Sequence, residues 1–330
     1  MAIASSGAVS FSDLRTEFVG GSAAISYSDL YRGGSNIRAK AANNTGVNLA
    51  ASVPTSGTIN IANFRSQAKG FRFTYTSGAT NQNASSLFGD DYAVDYPKEI
   101  VIDSGVELGA TSTSEEALQI DTGASGSITI TNNGTLSGAG GAAGSAGGDA
   151  FEADVACALI NNGTIRAGGG GGGTGGQGSY ESVNYLYSYS PYTWMIRVSS
   201  GKVEVRWAGV RYINAYIGTS TTSYGQWRRG NYVGTDSTFV KYYVGQASTS
   251  YSNGGSGGVG QGYNQSAGAG TSGTNNSGNG GTGGGFGSAG STGANGNSAN
   301  GSSGGAAGNY IRGLSFVTLT QSGTVQGGTA

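Results

Sequence analysis

The sequence predicts a mainly β protein. It should carry a small N-terminal strand-turn repeat module, a β-solenoid-like scaffold, an inserted aromatic β block and a Gly-rich, polyglycine II-like loop array. Three observations carry this prediction. A short motif recurs three times in the first seventy residues. An Asn-Asn-Gly-Thr core recurs 29 residues apart, Asn132 matching Asn161. Residues 253–308 hold 23 glycines in 56 positions, with no proline and no charge.

Composition sets the frame. Glycine accounts for 65 of 330 residues and charged residues for 11%, against about 7% and about 25% in ordinary globular chains. Disordered chains combine high net charge with few aromatics; here the net charge is −1 and aromatics make up 10%, which argues for an unusual folded protein. So small a charge steers the chain to neither nucleic acid nor membrane. Histidine is absent, which removes the commonest general base and transition-metal ligand. The single Cys157 lies in the apolar run VACALI and reads as a buried, inert thiol. The start, MAIASSGAVSF, has no basic segment or apolar core of a signal peptide, and no run approaches the ~18 apolar residues of a membrane span.

The N-terminal units are VSFSDLR from Val9, ISYSDLYR from Ile25 and INIANFR from Ile59. Each reads as a short alternating strand, a polar helix cap (Ser12 and Ser28 in the first two), an apolar residue and an arginine. Units this small bury no core alone, so residues 1–70 are expected to pack on one another or on a larger assembly, as an attachment or capping module.

Alternation in FRFTYT opens the scaffold, residues 71–179. TNNGTLSGAGG from Thr131, INNGTIRAGGG from Ile160 and the weaker TQSGTVQGG from Thr320 each follow an apolar strand. Strand, tight turn, short apolar return and Gly-rich exit make one rung of a solenoid, and three rungs are expected. The third returns after a long gap, so residues 180–251 and 252–309 read as insertions and residues 310–330 as the strand that rejoins the scaffold. Asp90, Asp91 and Asp95 offer oxygen ligands but lack an EF-hand's spacing; they read as a solvated loop, with no metal expected.

The first insertion holds 12 of the 19 tyrosines and all three tryptophans, and its cations outnumber its acids by four. YTWMIRVSSGKVEVRW reads as a hairpin turning at residues 199–202, with further strands at 210–217 and from Thr238. The second insertion has no continuous Gly-X-Y register, since Gly268, Gly270, Gly273, Gly278 and Gly280 break it, so it is no collagen. Extended polyglycine II helices, bonded to one another through their backbones, are the ordered form such a composition permits; irregular packed loops are the alternative.

SFSDLR, ISYSDLYRGGS and VPTSGTINIANFR resemble a module common in tail-fibre and other virion proteins of tailed bacteriophages. ITNNGTLSGAGG and INNGTIRAGGGGGG, with the Gly-rich tail, are similar to the tip adhesins of T-even-like long tail fibres. The resemblance implies a virion protein made in the host cytoplasm without a signal peptide and placed at a tail fibre or tail tip. It implies attachment to other tail proteins through the N-terminal module. A homotrimer is expected, a single copy on a trimeric shaft being the other arrangement. The expected partner outside the virion is a bacterial surface receptor, an outer-membrane protein or a polysaccharide. No nucleic acid, membrane insertion, cofactor or catalytic residue is expected.

Tyr and Trp present large rigid surfaces with a polar tip. Trp194, Trp207 and Trp227 are therefore the candidates for stacking on a receptor, Arg228 and Arg229 for meeting anionic lipopolysaccharide, and Tyr263 and Phe286 for contact from the Gly-rich loops. Half-buried cross-strand pairing is the plainer role for any one of these aromatics. Two other functions compete: a purely structural collar, capsid or tail fibre, and a depolymerase using Glu115 with Glu116, or Asp149 with Glu152 and Asp154, as paired carboxylates.

Overall fold

A computed structural model describes residues 3–20, 24–34, 36–188, 195–199, 202–207, 210–216 and 242–330. Its centre is a coil in which the chain visits three parallel sheets in turn, five times over. The first sheet stacks Phe71–Tyr75, Lys98–Ile102, Ile128–Asn132, Cys157–Asn161 and Val317–Gln321 in register. The second stacks Ala79–Thr80, Glu107–Gly109, Thr135–Ser137, Thr164–Arg166 and Thr324–Gln326. The third stacks Gln82–Asn83, Leu118–Ile120, Phe151–Ala153, Asn309–Arg312 and Gly328–Thr329.

Side chains alternate across each strand, so stacking in register sends columns of like residues inward. Phe73, Ile100, Ile130, Leu159 and Leu319 form one column. Leu108, Leu136, Ile165 and Val325 form a second. Leu118, Phe151 and Ile311 form a third. All belong to one core. Asn132 and Asn161, the repeat asparagines, are fully buried and bond to each other at 2.8 Å. The Asn132 side chain also accepts from the Gly134 amide, which closes the turn from inside. Cys157 is buried and unpaired, and burial pushes its thiol up to about 11.

Five passages replace the three expected. The first two lack the Asn-Asn-Gly-Thr signature; the second turns instead through Asp103 and Gly105, whose φ is +81°, a backbone state that glycine supplies at little cost.

The N-terminal caps also differ from expectation. The capping residues are Ser10, Ser26 and Asn60, not Ser12 and Ser28. Asp13, Asp29 and Asn63, three residues on, reach back to the cap amides at 2.7, 2.8 and 2.8 Å. This reciprocal box needs its acceptor three positions after the cap, which excludes the later serines. The bond from the Ser10 backbone, then that from its hydroxyl, lowers the Asp13 pKa; Asp29 is lowered the same way by Ser26. Leu14, Leu30 and Phe64 meet in a second core, with Val9, Ile25 and Ile59 packed against it.

Asp91, expected in a solvated loop, is fully buried. It accepts from Arg38 Nε at 2.8 Å, the Ala41 amide at 2.7 Å and Asn44 Nδ2 at 2.9 Å. Burial works to raise its pKa, but these three donors outweigh that and hold it below the usual carboxylate range. The contact ties the N-terminal module to the coil, and Val47–Asn48 pairs antiparallel with Phe71–Tyr75 to cover that end.

Candidate functional site

The excursions of the coil leave from one corner, between the second and third sheets. They grow along the stack: residues 110–117, then 138–150, then 167–308. The last two combine into the Gly-rich array. Its centre is the run 168–177, hydrogen-bonded to six surrounding segments with a period of three.

The amides of Gly169, Gly172 and Gly175 donate to the carbonyls of Gln261, Gly258 and Gly255. Those of Gly170, Gly173 and Gly176 donate to Ser288, Ser291 and Ala294, and those of Gly168 and Gly171 to Gly148 and Ser145. In return, the central carbonyls accept along three more segments. Gly169 and Gly172 accept from Gly141 and Gly144. Gly170, Gly173 and Gly176 accept from Gly284, Gly281 and Gly278, and Gly168, Gly171 and Thr174 from Gly308, Gly305 and Ser302. Three directions for donors and three for acceptors recur as the chain advances three residues per turn.

Close approach explains the composition. A Cβ on Gly173 would sit 1.9 Å from the Ser302 carbonyl oxygen, and one on Gly176 1.9 Å from that of Ala299. On the outer face hydroxyls add bonds: Ser302 Oγ accepts from the Thr174 amide and Ser291 Oγ from the Thr282 amide, at 2.8 and 2.7 Å. Asparagines close the outer turns. Asn279 accepts from the Gly273 amide at 2.9 Å and Asn295 from the Gly301 amide at 3.0 Å. Asn275 and Asn276 adopt φ of +50° and +65° between them, the left-handed state that Asn tolerates best after Gly.

At this outer end the antiparallel ribbon Gly178–Ser188 with Tyr242–Ser252 leaves the array, pairing over eleven positions. Asn297 fastens its root, accepting from the Ser179 amide at 2.6 Å and donating to its carbonyl at 3.0 Å. The aromatic insertion also contains a three-stranded antiparallel sheet, Met195–Ser199, Lys202–Trp207 and Val210–Tyr216.

Of the candidate contact residues, Trp194, Trp227, Arg228 and Arg229 lie outside the described residues. Trp207 ends the middle strand of that sheet, opposite Val210. Tyr263 and Phe286 sit at the other end of the array, where it meets the coil. The Tyr263 ring lies against Gly109 so closely that a Cβ there would be 2.0 Å from it. Arg166 stacks on Phe286 at 3.9 Å while pairing with Glu107 at 2.8 Å. Both aromatics are half-buried staples between array and coil.

The carboxylates considered for glycoside chemistry meet a cation that sequence reasoning had not connected with them. Arg312, where the chain re-enters the coil, pairs with Glu116 at 2.7 Å, with Glu152, and with Asp149 at 3.8 Å. Asp149 also accepts from the Asn309 amide at 2.6 Å. Burial, with the neighbouring Glu152 carboxylate, pushes Glu116 up to about 7 against the pull of Arg312. A polar cleft of about 280 Å3 opens beside them, lined by Asn81, Asn83, Glu115, Glu116, Glu152 and Arg312. These acids hold the returning strand in place. The signal in the sequence was position: Glu116 and Asp149 stand two residues before successive strands of the sheet that Arg312 joins. No helix among the described residues is long and apolar enough to cross a membrane.

A family model described as phage tail fibre adhesin Gp38 matches residues 70–330. No curated protein sequence matches the chain. Among solved structures, the chain is loosely similar to a chain from the crystal structure of the gp37-gp38 adhesin tip complex of the bacteriophage S16 long tail fiber. The two share 17% identity over 84% of this chain and 88% of that one, with a TM-score of 0.41.

Proposed function

The chain belongs to the phage tail fibre adhesin family Gp38, and on that premise we propose how its parts divide the work of an adhesin. The N-terminal module attaches to the tail fibre. The coil is a β-solenoid stalk, and the Gly-rich array is a polyglycine II-like spacer that holds the receptor-binding surface away from it. Ten residues at about 3.1 Å each carry the array roughly 30 Å from the coil, and the eleven-position ribbon adds about 35 Å.

The host contact lies beyond that ribbon, with Trp194, Trp207, Trp227, Arg228 and Arg229 as the residues that carry it. The outer turns of the array, residues 272–277 and 295–300, stand beside it. Tyr263 and Phe286 serve the contact from a distance by fixing the array to its stalk. The single observation that supports this division is the position of the ribbon: it leaves at the end of the array opposite the coil. An uncharged spacer suits the task, because it presents the locally basic, aromatic insertion without a competing field of its own.

The test replaces residues 189–241 with an Asn-Gly turn joining Ser188 to Tyr242, which already face each other across the ribbon. Thermal melting should be unchanged, and adsorption to host cells should fall at least tenfold. Adsorption at the original level by the shortened protein would refute the assignment.

A further inference from the structure

The three-stranded sheet of the aromatic insertion has two faces of opposite character. Successive residues of a strand alternate between faces, and residues directly opposite on paired strands share one. Ile196 and Val198 stand opposite Val205 and Val203, while Val205 and Trp207 stand opposite Tyr212 and Val210. That face is apolar and aromatic throughout. The other face sets Arg197 opposite Glu204, Ser199 opposite Lys202, and Met195, Arg206 and Arg211 in one row across the three strands. Four cations share it with a single acid.

Arginines elsewhere in the chain are balanced differently. In the coil, Arg72, Arg166 and Arg312 each pair with a carboxylate. Here Arg206 and Arg211 hold directly opposed positions on neighbouring strands, with Cα atoms about 5 Å apart. Arg197 is diagonal to Arg206, at about 7–8 Å. Like charges set opposite each other destabilise a sheet, and Glu204 offsets only one of the four. An anion lying between the arginines removes that cost.

We propose that this face binds phosphate groups of the host's lipopolysaccharide, with Arg206 and Arg211 clamping one phosphate and Arg197 and Lys202 holding the adjoining phosphorylated sugar. The inference rests on the reading that the insertion beyond the ribbon meets the host, and it names the ligand of that contact. Guanidinium groups grip oxygen anions bidentately. A phosphomonoester brings a charge of about −1.5 to −2, more than a carboxylate can. A face with so large an excess of cations therefore favours phosphorylated sugars over uronic acids or the acidic loops of a protein. Trp207 belongs to the opposite face, so the phosphate contact falls to the arginines. The Gly-rich segment 253–308 carries no charge, so it sets no competing cation or anion beside the site.

The experiment measures binding of the full chain to lipopolysaccharide purified from the host strain, before and after its phosphates are removed with hydrofluoric acid. Removal should weaken binding at least tenfold, and added salt should weaken binding to the intact form. Equal binding to the two preparations would overturn the inference, and this comparison needs no variant. Arg206→Gln with Arg211→Gln then locates the site. Binding to the phosphorylated form should fall at least tenfold while the melting temperature stays level or rises, because an unfavourable pair is gone. Undiminished binding by that variant, or a lowered melting temperature that marks the two arginines as structural, would overturn the assignment to this face. Adsorption to cells separates the site from the broader reading. Full adsorption by the arginine variant, with adsorption lost on replacing residues 189–241, would keep the host contact and remove the phosphate site. Adsorption lost in the variant, with equal binding to both preparations, would identify an acidic protein receptor and overturn the inference as well.

Discussion

Replacing Gly173 with alanine tests the packing of the array at its centre. The φ of Gly173 lies outside the left-handed range, so alanine meets no backbone penalty and the cost is steric. Its Cβ would arrive 1.9 Å from the Ser302 carbonyl oxygen and 2.8 Å from the next nearest atoms, all backbone, so no side chain can swing aside. Ser302 itself is bonded to Thr174, which resists the shift. Overpacking costs about 1–3 kcal/mol. The bonds Gly173 makes to Ser291 and Gly281 are strained as the segments part, at about 1 kcal/mol each. The lower chain entropy of unfolded alanine returns about 0.4–1 kcal/mol. The net loss is about 2–5 kcal/mol. Thr174→Ala, one residue along and exposed, forfeits a hydroxyl bond and should cost about 1 kcal/mol or less. Chemical denaturation compares the two, and hydrogen exchange should quicken across 168–176 in the first alone. Equal midpoints for the two variants would refute the reasoning.

Three further outcomes follow from the ion clusters. Because the folded state raises the Glu116 pKa to about 7, it holds a proton that the unfolded chain releases near 4.5; wild-type stability should therefore fall as pH rises between those values, and Glu116→Gln should flatten that slope in denaturation curves. Arg312→Met should destabilise by about 1–3 kcal/mol by leaving Glu116 and Glu152 facing each other unpaired, and by clearly less in a Glu116→Gln/Glu152→Gln background, read as a double-mutant cycle. The depressed pKa of Asp91 gives stability that is present above the unfolded value and lost as pH falls through the folded one; Asp91→Asn should cost about 2 kcal/mol at neutral pH and remove the wild type's loss below about pH 4.

Much of this arrangement was legible because it repeats. Asn132 and Asn161 stand one passage apart, so their spacing exposed the stacking directly. The first two passages hid because they lack the asparagine signature: the first turns through Thr76, Ser77 and Gly78, the second through Asp103 and Gly105, different solutions to the same corner. Glycine spacing showed that residues 253–308 needed close backbone approach, but its period of three was invisible along the whole segment. The register holds at Gly278, Gly281 and Gly284, then resets at the turn before Gly290, Gly293 and Gly296, since each run packs independently. Where Tyr263 and Phe286 sit was not legible: an aromatic in a polar segment looks presented for contact, and only the fold shows each ring lying at the junction with the coil. Arg312 was beyond local reading, because its partners Glu116 and Asp149 come from earlier passages and meet it only when the sheet stacks.

The central claim is that the outer end of the array faces the host. Cys157 is the chain's one cysteine and is buried, so a cysteine introduced at exposed Ser298 can be biotinylated selectively on assembled phage. Streptavidin bound there should appear at the outer extremity of the fibre in electron micrographs and should block adsorption to cells. Streptavidin located at the joint between adhesin and fibre, or full adsorption with the label in place, would contradict the account.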